Sequence, residues 1–137
     1  MTKYYFLVDK NRTYSVGPFL EIKNNDDVFI GQIIRSNEFS MEYTKGDSIY
    51  FELYSINSNL NLFDTKCIIH DNLNNLDILN NVSKICVFNG EIDTSSNLLD
   101  LQKMGNGFIS TILDKTYSLT FSIRNNLIMC PMLKIEY

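Results

Sequence analysis

The chain has 137 residues, 45% of them hydrophobic and 20% charged, with a net charge of -4 and a mean hydropathy of -0.10. This is globular composition, apolar enough to bury a core without staples and far from the polar regime that stays disordered. An acidic balance with scattered Lys and Arg lacks the attraction for phosphate backbones that nucleic-acid binding draws on, and no apolar stretch approaches the roughly eighteen residues of a membrane helix.

Tyr4–Asp9 is the first apolar run, and Asp9 interrupts it too soon for the hydrophobic region of a signal peptide. It predicts a strand followed by a turn, in which the charges of Lys10 and Arg12 read as solvation. Phe19–Lys23 and Val28–Ile34 are further short strands, with Asp26-Asp27 in the turn before the second. Asn37–Tyr43 alternates cleanly, Phe39, Met41 and Tyr43 on one face and Glu38, Ser40 and Glu42 on the other, as a half-buried strand requires. Lys45-Gly46-Asp47 is a turn, and Ser48–Ile56 is the next strand.

The two faces of that strand differ in kind. Ile49, Phe51 and Leu53 are core material, whereas Tyr50, Glu52 and Tyr54 form a tyrosine ladder around a carboxylate. Tyrosine buries a large area with little loss of entropy, so Tyr50, Glu52 and Tyr54 are a candidate self-association or partner surface. A sheet face covered by a neighbouring loop explains the same residues equally well.

Thr65–His70 reads as a strand, and Asp71–Asn81, with Leu73, Leu76 and Leu79 three apart, as a short helix or 3₁₀ turn capping one end. Lys84–Phe88 is a strand; Glu91–Met104 is polar and then Leu-rich, a loop with a helical turn. Gly105-Asn106-Gly107 marks a break before the strand Phe108–Leu113. Thr116–Arg124 alternates Tyr117, Leu119, Phe121 and Ile123 with Ser118, Thr120 and Ser122. Arg124-Asn125-Asn126 joins it in a hairpin to Leu127–Tyr137, where Pro131 must occupy an edge or a bulge because it has no N–H to donate.

The chemistry-bearing residues are few. Cys67, Cys86 and Cys130 are odd in number, widely spaced and set in apolar runs, which argues against a disulfide framework or zinc knuckle and for buried thiols in a reducing, cytoplasmic setting. His70 is the only histidine, and on a strand the three-residue offset from Cys67 sends the two side chains to opposite faces. Glu91–Asn97 offers oxygens at alternate positions but lacks the glycine and terminal glutamate of a calcium loop, and no phosphate cradle is present. No catalytic residue, metal ligand or cofactor is assigned. Tyr4, Tyr5, Tyr14, Tyr43, Tyr50 and Tyr54 are available to a sugar, although most belong in the core of an all-β domain.

Five pieces occur in an order that resembles the PixA/AidA inclusion-body protein family of bacteria. They are Leu7-Val8-Asp9, Gly31-Gln32, Lys45-Gly46-Asp47-Ser48-Ile49, the strand Tyr117–Ile123, and Pro131-Met132-Leu133-Lys134-Ile135. Tyr50-Phe51 and Met129-Cys130 stand where that family has Arg-Trp and Trp-Asp, so no functional residue is carried across. The resemblance implies a β-sandwich that accumulates as intracellular inclusions or ordered assemblies.

The expectation is therefore one all-β domain over residues 1–137, an antiparallel β-sandwich or flattened barrel of about eight to ten strands with at most one or two short helical turns. In function it is a non-enzymatic, self-associating protein, a homo-oligomer or larger assembly, cytoplasmic, with neither nucleic acid nor membrane as partner. The alternative is a lectin-like module for a carbohydrate or small ligand, and a small hydrolase acting through His70 ranks below both.

Overall fold

The computed structural model describes residues 1–23, 28–32, 39–92, 106–112 and 115–136. Among the described residues, alternating and continuous apolar runs form nine strands: β1 Thr2–Asp9, β2 Ser15–Lys23, β3 Val28–Gln32, β4 Ser40–Glu42, β5 Ser48–Ser58, β6 Val82–Glu91, β7 Asn106–Ile112, β8 Lys115–Arg124 and β9 Leu127–Glu136. All pair antiparallel along one path, β6-β5-β1-β2-β3-β9-β8-β7, with the short β4 on β9. The path folds over into two layers of four strands, β6-β5-β1-β2 and β3-β9-β8-β7, and its end strands β6 and β7 lie alongside each other. The expected all-β sandwich is what forms.

Side-chain alternation decides what lies between the layers. Tyr5 and Leu7 of β1, Phe51 and Leu53 of β5, Leu119, Phe121 and Ile123 of β8, and Leu133 and Ile135 of β9 meet in one buried cluster. Within it the buried rings of Phe51 and Phe121 pack 5.5 Å apart, and the half-buried ring of Phe39 packs against both from the cluster's edge at 5.9 Å. Full burial of Phe51 and of Phe121 stabilises the fold by about 1.5–3 kcal/mol each.

β1 and β5 are buried on both faces, which is why Tyr4-Tyr5-Phe6-Leu7-Val8 is apolar without interruption. Their outer faces, Tyr4, Phe6 and Val8 with Tyr54 and Ile56, form a second cluster beneath the helix α1, Leu62–Asp71, and a 3₁₀ segment, Leu73–Ile78. Ile69, Leu73 and Leu76 are the apolar underside of that cover.

Helix α1 corrects the strand expected over Thr65–His70. Asn61 caps it, its Oδ1 accepting from the Asp64 N–H at 2.7 Å, and Asp64 favours the positive end of the helix dipole. Thr65 and Ile69, four apart, are the buried pair, and Thr65 Oγ1 lies 2.9 Å from Ser58 Oγ at the end of β5. The run Cys67-Ile68-Ile69 imitates a strand in β-branched content only; the capping asparagine and the i, i+4 burial outweigh it. The 3₁₀ segment falls inside the stretch expected to hold a helical turn.

Two turns form as their residues dictate. Asn125 and Asn126 adopt φ of 51° and 62° in the two-residue hairpin between β8 and β9, and Gly46 takes φ 91° before β5. Pro131 sits at a bulge: Thr120 pairs with Met132 and Ser122 with Met129, so β9 carries one extra residue there, with Cys130 at φ 51°. Asn106 and Gly107, expected at a break, pair with Phe121 and Thr120 inside β7. Positions 26–27 and 93–104 lie outside the described residues.

Candidate functional site

The β1–β2 turn, residues 9–14, is built around one carboxylate. Asp9 Oδ1 accepts from the N–H groups of Thr13 and Tyr14 at 2.9 and 3.0 Å, and Oδ2 from the Thr13 hydroxyl at 2.6 Å. The Arg12 N–H donates to the Asp9 carbonyl at 3.0 Å, with Arg12 in the left-handed region at φ 54°. This local bonding, which Asp and Thr side chains make readily, fixes the turn as a rigid wall.

That wall borders an open cleft of about 770 Å³ at one end of the sandwich. Lys10, Asn11 and Tyr14 line it from the turn, Met41 from β4, Ser48 and Tyr50 from the start of β5, and Asn89 and Glu91 from the end of β6. The Tyr14 hydroxyl donates to Met41 Sδ at 3.1 Å, and its ring stands 5.9 Å from Phe39, so the aromatic floor continues into the core. Burial, and then the charge of Asp9, push the Tyr14 hydroxyl pKa above its ordinary value, which keeps it neutral. Around this floor the rim presents amides, hydroxyls, an ammonium and carboxylates. The size suits a small ligand.

The tyrosine ladder divides. Tyr50 is half-buried and lines the cleft, whereas Glu52 is 7% and Tyr54 1% exposed, beneath the 3₁₀ segment and the Arg12 side chain. Of the candidate partner surface Tyr50, Glu52 and Tyr54, only Tyr50 is therefore presented outward; the other two belong to a covered sheet face. Arg12 Nη2 donates to the Tyr54 hydroxyl at 2.9 Å and to Asp77 Oδ2 at 3.3 Å, and lies 3.6 Å from Glu52 Oε1. Nη1 donates to the Leu73 carbonyl at 3.1 Å, and Lys84 pairs with the other oxygen of Glu52. The hydrogen bond to Glu52 holds the Lys84 ammonium pKa above its ordinary value, and burial foremost raises that of Tyr54.

Reading Arg12 as a solvated turn charge missed this role. The available signal was Glu52 itself: a carboxylate flanked by Phe51 and Leu53 in a strand buried on both faces demands a cation. The thiols also differ from expectation. Cys86 is buried, but Cys67 and Cys130 are exposed, one on the outer side of α1 and one at the bulge. Helical geometry brings Cys67 and His70 to one face, three residues apart, where a strand separates them. Both are exposed, and neither is among the cleft-lining residues. Among the described residues no group of three or more His, Cys, Asp or Glu is placed to hold a metal ion, and no helix is long and apolar enough to cross a membrane. Most of the oxygen-rich stretch Glu91–Asn97 lies outside the described residues.

No family model, curated protein or solved structure matches the chain.

Proposed function

We propose that the chain is a non-enzymatic binding module whose end cleft takes a carbohydrate or a chemically similar polyhydroxylated ligand. The observation that carries this reading is the pairing of two half-buried tyrosines, Tyr14 and Tyr50, with a rim of Asn11, Ser48, Asn89 and Glu91. A sugar has an apolar C–H face and an equatorial fringe of hydroxyls; rings accept the first, and amides and carboxylates bond the second. The Tyr14 ring is anchored through Phe39 to the core, so little ordering of that ring opposes binding. A glycan array probed with the full chain tests it: binding to at least one oligosaccharide class, lost in Tyr50→Ala, is expected. Silence across the array removes this reading.

Self-association is the second reading, and it accords with the resemblance to inclusion-body proteins. It is favoured by Ile109, 73% exposed on β7, and Met132, 56% exposed on β9, which flank the Ser118 and Thr120 positions of β8 on the outer side of the β3-β9-β8-β7 layer. A second copy of the chain is the occupant that would bury them. Gel filtration across concentration decides it, with Ile109→Lys lowering the apparent mass if that face is used and a strict monomer removing the idea.

A further inference from the structure

The β1–β2 turn has two sides. On one side Lys10, Asn11, Thr13 and Tyr14 form a wall of the cleft. On the other, the single side chain of Arg12 reaches across the outer face of β5 to the 3₁₀ segment, bonding the Leu73 carbonyl and Asp77 sixty or more positions along the chain. Between these partners the same guanidinium bonds the Tyr54 hydroxyl and stands beside Glu52, its Cζ 5.9 Å from the Tyr54 ring centre. The left-handed backbone at Arg12 turns its side chain away from the cleft while its neighbours face into it. A planar fork that touches two elements at once transmits displacement between them, where a flexible ammonium does not.

We infer that Arg12 is a positioning residue that makes the cleft wall and the helical cover open and close as one unit. The consequence for ligand affinity rests on the cleft being the binding site; the mechanical coupling does not. Glu52 is the fixed point of the linkage. It is a strand residue, held from the far side by Lys84, so the Arg12 fork is located against the rigid sheet rather than against a loop. Displacing the 3₁₀ segment withdraws the Leu73 carbonyl and Asp77 from Arg12, which leaves the guanidinium only Tyr54 and Glu52 on β5 and the turn its local bonds to Asp9. A ligand that orders the turn correspondingly favours the seated cover, since the two equilibria share one residue.

Amide hydrogen exchange on the ligand-free full chain is the test, because it needs no ligand. The Thr13 and Tyr14 amides report the wall, and those of Asn75 and Leu79, bonded to the Asn72 and Leu76 carbonyls, report the cover. Arg12→Ala is expected to speed exchange at both places by about tenfold while β8 amides keep their protection. Asp77→Ala, altered only on the cover, is expected to speed Thr13 and Tyr14 by about threefold, a response at a distance that a merely local role does not produce. Arg12→Lys keeps the charge but loses the fork and is expected to resemble Arg12→Ala at Asn75 and Leu79. Exchange rising in the wall alone or the cover alone, or unchanged wall amides in Asp77→Ala, overturns the coupling. Equal acceleration in β8 also overturns it, since that is global unfolding. Should the glycan array be silent while wall and cover respond together, the coupling stands and only the ligand reading fails.

Discussion

The two faces of β5 pack against opposite kinds of surroundings. Ile49, Phe51 and Leu53 look into a cluster closed by a second sheet, built of aliphatic and aromatic side chains with the Cys86 thiol. Glu52 and Tyr54, one residue out of phase, look into a cluster closed by a helix and a 3₁₀ segment, where a carboxylate, a guanidinium, an ammonium and a phenol share the space with Phe6, Ile69 and Leu76. A sheet closes a core with regular, interchangeable packing. A short cover with little area of its own is located by directional bonds, which specify position more than they add net stability. The inter-sheet cluster is thus expected to dominate stability, and the covered cluster to set where the cover and the turn lie.

The largest effect is expected from the inter-sheet cluster. Phe121→Ala removes a ring 1% exposed, packed on both Phe39 and Phe51, and should cost about 4 kcal/mol in urea unfolding. A loss below that of any substitution under the cover would break the comparison. In the covered cluster, Glu52→Ala leaves Arg12 and Lys84 without their shared partner and should cost about 3 kcal/mol. Replacing Arg12 by Met and Glu52 by Leu together should cost less than Glu52→Ala alone, because apolar volume then fills the covered site and the charges left without a partner, Lys84 and Asp77, are exposed enough to turn to solvent. Additive losses would show that the ion cluster is a source of stability and not of position.

A weaker effect is the loss of stability at alkaline pH, to which Tyr43 and Tyr117 of the inter-sheet cluster, their pKa values raised foremost by burial, also contribute. Both Lys84 and Tyr54 have pKa values raised in the folded chain, by the Glu52 hydrogen bond and by burial respectively. The folded chain therefore holds these protons more tightly than the unfolded one. The stability this contributes is complete below about pH 10 and is lost as pH rises through the raised values. Thermal melts from pH 8 to 12 should decline only at the alkaline end, later in onset for Tyr54→Phe; an equal onset would place the alkaline loss elsewhere. The smallest effect lies outside both clusters. Asn126→Gly, at φ 62° in the β8–β9 hairpin, should stabilise by about 0.5 kcal/mol in the same urea assay, since glycine adopts that backbone without strain.

What could be read in the residues follows the same division. β8 was legible because one of its faces is half-exposed, so apolar and hydroxyl residues strictly alternate. The bulge at Pro131 and the Asn125-Asn126 turn were legible because backbone chemistry alone dictates them. α1 was not: with its underside limited to Thr65 and Ile69 and isoleucines at two adjacent positions, its helical period is too short to outweigh a strand-like run. Nor was the place of Arg12, whose partners Glu52, Leu73 and Asp77 come together only through the fold. The cleft was half-legible. Tyr14 and Tyr50 stood among the tyrosines open to a sugar, but nothing local distinguishes them from Tyr4, Tyr5, Tyr43 and Tyr54, which are buried.

The most direct measurement of the binding role is an amide chemical-shift titration of the ¹⁵N-labelled full chain with the oligosaccharide that the array selects. Saturable shifts concentrated at Lys10, Asn11, Tyr14, Tyr50 and Asn89, and absent in Tyr50→Ala, are the expected result. Shifts gathered instead on the outer side of β7–β9, or scattered and unsaturable, would contradict a ligand seated in the end cleft.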